Sequence, residues 1–135
     1  MIISTLDETV RAAAGTGPGA AVARWQCMVR RGMLHSECEA IEHWALPPGA
    51  SLELTSDHGV EEALLVLDGE LLVSSAHGEQ RVRAGHIALV PYGTEGTARA
   101  GGRPVRLLSV RALAPLVSDR LPPRVPELVA PGPRT

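Results

Sequence analysis

Between residues 20 and 114 the chain switches between apolar and polar side chains at short intervals, and Gly or Pro repeatedly breaks the pattern. The runs between breaks cover 21–29, 35–46, 51–55, 62–67, 70–75, 80–83, 86–90, 96–100 and 104–113. Several alternate with a period of two, as Ser51, Leu52, Glu53 and Leu54 do, which suits a strand with one face buried. Arg30-Arg31-Gly32, Pro47-Pro48-Gly49, Pro91-Tyr92-Gly93 and Gly101-Gly102 read as turns, and Asp68-Gly69 between two apolar runs is a hairpin signal. Many short strands with turn residues between them predict an all-β sandwich or barrel.

The two ends read differently. Thr5-Leu6-Asp7-Glu8 has the form of a capping box, and Leu6, Val10 and Ala13 or Ala14 share one helical face that Gly15 can end. A short helix with a Gly/Pro linker is therefore expected over 1–19, and the barrel over 20–114. Residues 115–135 hold Pro115, Pro122, Pro123, Pro126, Pro131 and Pro133. Proline lacks the ladder donor, so this stretch predicts an extended surface tail.

Composition narrows the function classes. A chain of 135 residues, 44% hydrophobic and 21% charged, suits one globular domain with a real core. A net charge of −2 offers no basic stripe for nucleic acid. No apolar run reaches the ~20 residues of a membrane span, and no basic segment leads into an apolar one at the start, so a cytoplasmic protein is expected. Lys is absent, which excludes Schiff-base chemistry by a lysine amine. Cys27 and Cys38 lack finger or CxxC spacing and read as two reduced thiols.

The stretch from Gly49 to Ala100 resembles the two motifs of the cupin superfamily. Gly49 opens the first, His58 stands at its second His position, Glu62 at its Glu, and Gly69 closes it. In the second, Gly85, Pro91 and Gly93 are in register. The resemblance implies a cupin-type double-stranded β-helix, a jelly-roll barrel with a ligand pocket inside. The chain departs from the pattern at three chemical positions. Ser56 stands at the first His, Gly96 at the second-motif His, and Ala100 at the Asn. The family's iron, manganese, nickel or zinc ligands are thus reduced to His58 and Glu62, and two donors seldom hold a divalent ion. No cofactor is expected. Iron or zinc is the alternative, and would need help from His35, Cys38, Glu42 or His43.

The resemblance places His58 and Glu62 at neighbouring strand positions facing the pocket, where without a metal they are expected to form an acid/base pair, with Ser56 holding a substrate carbonyl. Leu54, Leu64, Val66, His43, Trp44 and Tyr92 are expected to line the pocket, and Gly96 to leave room where a histidine would stand. Similarity to small bacterial cupins implies a tailoring enzyme of specialised metabolism (a cyclase, isomerase or dehydratase) acting on a small organic substrate. The alternatives are a non-catalytic binding module and a metal-dependent oxygenase or cyclase with unusual ligands. A homodimer is expected, with Trp25 and the stretch from Leu113 to Val117 as contact surfaces.

Overall fold

The computed structural model describes residues 3, 6, 10–13, 22–34 and 36–122. Among them, ten strands form two antiparallel sheets. The larger runs in the order β1 (Val10–Ala13), β2 (Val22–Arg30), β3 (Cys38–Leu46), β10 (Val105–Leu113), β5 (Val60–Asp68), β8 (Ile87–Val90). The smaller runs β4 (Ser51–Leu54), β9 (Gly96–Ala100), β6 (Glu70–Ser75), β7 (Gly78–Arg83). This is the jelly-roll barrel that the turn spacing and motif glycines predict.

Alternation decides what enters the barrel. On β5 the inward positions are Val60, Glu62, Leu64 and Val66, all buried, while Glu61 and Leu67 face out. On β10 they are Val105, Leu107, Ser109, Arg111 and Leu113. Leu46, Leu64, Val66, Leu71, Val105 and Leu107 are fully buried, and with Ala98, Ala100 and Leu54 they join both sheets into one core. The sheet partners make this pattern rigid: Ser109 faces Glu42 on one side and Leu64 on the other, and Arg111 faces Ala40 and Glu62. Cross-strand partners share a face, so the two polar residues of β10 enter the barrel beside two glutamates.

Three expectations change. Val10–Ala13 is a strand paired with Val22–Trp25, not part of a helix; strand pairing there outweighs a helical pattern that rests on few residues. Of the rest of the expected helix only Ile3 and Leu6 are described; the linker, His35 and residues 123–135 lie outside the described residues. The tail is not extended throughout either, because Pro115–Ser118 forms one helical turn, α1, with Pro at its start. Finally, Asp68-Gly69 does not close a hairpin. β5 pairs with β10 and β8, β6 pairs with β7 and β9, and the turn carries the chain from one sheet to the other.

Gly69 makes that crossing possible. Its φ is +82°, and a Cβ there would overlap the Pro104 carbonyl oxygen at the start of β10. Gly49 also has a positive φ, +78°, but open space around it. Gly49→Ala should therefore cost only the left-handed backbone penalty of about 1–2 kcal/mol. Gly69→Ala should cost distinctly more, because it adds a clash with backbone. Urea unfolding of the two variants checks this, and equal losses would contradict it.

Candidate functional site

The charged centre of the barrel lies where β10 runs between β3 and β5. Glu42 and Glu62 are 6% and 9% exposed, and the Arg111 side chain reaches both. Arg111 Nε is 3.3 Å from Glu42 Oε1, and Nη2 is 3.3 Å from Glu62 Oε1. The second contact has hydrogen-bond geometry. The first is an ion pair only, which leaves Glu42 Oε1 and Arg111 Nε buried without a hydrogen bond. The outer oxygens are satisfied separately. The Trp25 indole N–H donates to Glu42 Oε2, and the Ser109 hydroxyl donates to Glu62 Oε2 at 3.0 Å.

Trp25 rests against Trp44, with ring centroids 6.2 Å apart and planes tilted by 47°. The two indoles stand opposite each other on β2 and β3. Cys27 stands opposite Glu42 in the same way. Burial, and then the Glu42 charge, push its thiol pKa up, and its Sγ donates to the Val29 carbonyl at 3.2 Å. It is a protonated wall of the site rather than a nucleophile.

His58 approaches from outside the sheet. It ends a single 3-10 turn, Ser56–His58, rather than occupying a strand position neighbouring Glu62, and the residue is exposed. What joins the two is Arg111, whose Nη2 lies 3.4 Å from His58 Nδ1. A guanidinium has only donors, so Nδ1 accepts in this contact and the hydrogen of the neutral ring is on Nε2.

The turn itself is tied down across the two motifs. Glu95 Oε1 accepts from the Ser56 backbone N–H at 3.0 Å, the Ser56 hydroxyl at 2.8 Å and the Thr55 hydroxyl at 3.4 Å. The Thr55 hydroxyl in turn accepts from the Asp57 N–H. On the far side, the Gly59 carbonyl accepts from the Ala114 N–H ahead of α1.

Several expected site residues take other roles. Leu54, Leu64 and Val66 have at most 2% of their surface exposed and belong to the packed core rather than to a pocket lining. His43 alternates with Glu42, so it faces the opposite side of β3, opposite Gln26 and Leu108. Ser56 spends its hydroxyl on Glu95. Gly96 leaves no vacated room, because a Cβ there would overlap the Ser74 carbonyl oxygen of the neighbouring strand. Tyr92 stands exposed in the turn after β8. Trp44 does reach the polar centre, through Trp25. Trp25, offered as a dimer contact, is taken up inside by Glu42 and Trp44, and Leu113 is buried.

A cavity of about 620 Å³ opens away from this centre among Asp68, Glu70, Arg83 and Arg103, where Gly69 and Gly101 turn. A second, of about 380 Å³, is a shallow, mostly apolar groove lined by Ala63, Leu89 and Val110 that also borders Glu62. Among the described residues, no three His, Cys, Asp or Glu side chains are grouped so that they could hold a metal ion. Glu62 is committed to Ser109 and Arg111, and His58 Nδ1 to Arg111. The metal centre that the motifs imply in other barrels does not fit this donor set.

Sequence comparison finds neither a matching family model nor a matching curated protein. Comparison of structures defines the class as a cupin-type barrel. The chain resembles a predicted oxalate decarboxylase from Thermotoga maritima at 17% identity and a TM-score of 0.70, covering 84% of this chain and 100% of that one. A Cupin 2 conserved barrel domain protein from Salinispora arenicola aligns over 89% and 94% of the two chains at 16% identity and a TM-score of 0.67. A cupin superfamily protein from Desulfitobacterium hafniense gives 16% and 0.57 over 68% and 78%. The fold is the cupin fold. No helix of the described residues is long and apolar enough to cross a membrane.

Glu95 provides a pH test of the loop. Bonds from the Ser56 backbone, and then from its hydroxyl, hold the Glu95 carboxyl below its ordinary value of 4.5. A depressed folded-state pKa adds stability that is full above the unfolded value and is lost as pH falls through the folded one. Acidification below about 4.5 should therefore weaken the protein by this route, and Glu95→Gln should remove that part of the pH slope. Thermal melts of both proteins between pH 7 and pH 3 check it; parallel curves would refute the latch.

Proposed function

We propose that this barrel is a small-molecule tailoring enzyme of the cyclase, isomerase or dehydratase type, working by proton transfer at its mouth without a tightly bound metal ion. The observation that carries this reading is the contact of Arg111 Nη2 with both His58 Nδ1 and Glu62 Oε1. It fixes the imidazole with its Nε2–H turned away from the guanidinium. From there the ring can hold a substrate carbonyl oxygen by hydrogen bond as an enol-like charge builds on it, while water or hydroxide from solvent takes and returns the α-proton. Assistance of this kind to proton transfer is worth about 10²–10⁴ in rate. Glu62 does not itself touch His58. It holds Arg111, and Arg111 holds the ring.

Charge narrows the substrate. Two carboxylates and one guanidinium leave the cluster at −1 when His58 is neutral. A third anion within 4 Å of either glutamate would meet a repulsion of about 4 kcal/mol at an effective dielectric of 20. A neutral carbonyl compound escapes that repulsion and still offers an oxygen to the His58 Nε2–H. The likeness to a predicted oxalate decarboxylase concerns the fold and says nothing about this substrate.

Hydrogen exchange tests the proposal before the natural substrate is known. Small neutral ketones, diketones and keto esters are incubated in D₂O with the protein, and loss of the α-hydrogen NMR signals is followed. The wild type should accelerate exchange of at least one compound over buffer. His58→Ala should lose about 10²-fold or more of that acceleration, with a circular dichroism spectrum like the wild type. If the compounds shift the melting temperature but none exchanges faster than in buffer, the barrel is a binding module and the enzyme reading fails.

A further inference from the structure

We infer that Arg111 is the cation this barrel carries in its own sequence in place of a bound metal ion. The inference follows from the charge arrangement and does not depend on any catalytic role of His58. Two carboxylates with 8% of their side-chain surface exposed enter the barrel from strands on either side of β10. Buried charges of one sign demand a partner, and removing that partner leaves them uncompensated. Arg111 reaches both. It comes from the strand between them, directly opposite Glu62 and two residues along from Ser109, which stands opposite Glu42.

The bonding is what a shared counter-ion would show. Each glutamate gives one oxygen to the guanidinium and the other to a neutral donor, Trp25 for Glu42 and Ser109 for Glu62. His58 adds its Nδ1 to the same guanidinium. The two carboxylates and the imidazole nitrogen thus surround Arg111 with acceptor types that bind divalent ions elsewhere, but spread around the guanidinium rather than grouped closely enough to share one ion. A metal ion would need those acceptors free, and the guanidinium occupies them. Arg111 is accordingly a positioning residue that sets the spacing of Glu42, Glu62 and His58, and its permanent charge makes the site independent of metal supply.

The test replaces Arg111 with a neutral side chain of similar reach. Arg111→Met is compared with the wild type and with the triple variant Arg111→Met, Glu42→Gln, Glu62→Gln, in which the amides can still accept from Trp25 and Ser109. Melting temperature is read for all three, and binding of MnCl₂ and ZnCl₂ by titration calorimetry. The expected result is that R111M melts well below the wild type, that the triple variant recovers at least half of the loss, and that R111M binds one of the two ions at least tenfold more tightly than the wild type, while the triple variant does not. Two outcomes overturn the inference. A triple variant as unstable as R111M would make Arg111 a packing residue, and equal ion binding by the wild type and R111M would show that the guanidinium displaces nothing. If R111M does not fold at all, the triple variant still decides, since its folding supports the counter-ion role and its failure refutes it. No substrate enters these measurements, so they can fail while the exchange assay succeeds, and the reverse.

Discussion

Glu42 and Glu62 reach the barrel interior from opposite sides of β10, and Arg111 lies between them with a nitrogen 3.3 Å from each. Much of the surrounding arrangement can be understood as the solvation of that triad. Trp25 and Ser109 satisfy the carboxylate oxygens the guanidinium does not take, and Trp44 packs the indole that makes one of those bonds. Isolated charges in an apolar core would be prohibitive, and each would take up a proton or expel its strand instead. Here a carboxylate is never more than one bond from a donor. The polar centre can therefore sit directly against Leu64 and Leu107, which have no exposed surface.

The barrel was legible in the sequence because it rests on period-two alternation and on turn residues, both of which are local. The same locality explains what was missed. The Asp68-Gly69 pair marks a tight turn correctly, but whether the flanking strands pair or part depends on β10, thirty-odd residues later. The capping-box reading of the first residues failed at Val10–Ala13 because an edge strand was available to pair with.

The site was legible only where a motif named its residues. Glu62 is in the barrel as the motif implies, and His58 is near it, but the residue that connects them lies outside both motifs. A signal for Arg111 did exist. On β10 the inward positions read Val105, Leu107, Ser109, Arg111, Leu113, so a hydroxyl and a guanidinium interrupt an otherwise aliphatic face. The polar strand 35–46 was a second signal, and alternation alone could not say that Glu42 rather than His43 turns inward, since both are buried. Knowing that Ser109 is the partner of Glu42 settles it, and that register is a long-range fact.

Gly96 bears on how such a barrel could change over time. The strand carrying it runs so close to β6 that the first carbon of any side chain would collide with the Ser74 carbonyl. Restoring a histidine there by a single substitution would force two paired strands apart. Once the sheet has closed around a glycine, any side chain at that position is barred by backbone rather than by chemistry alone. A change of function through this position would have to move a whole strand first, so variation in such a barrel is channelled to residues whose side chains already have room.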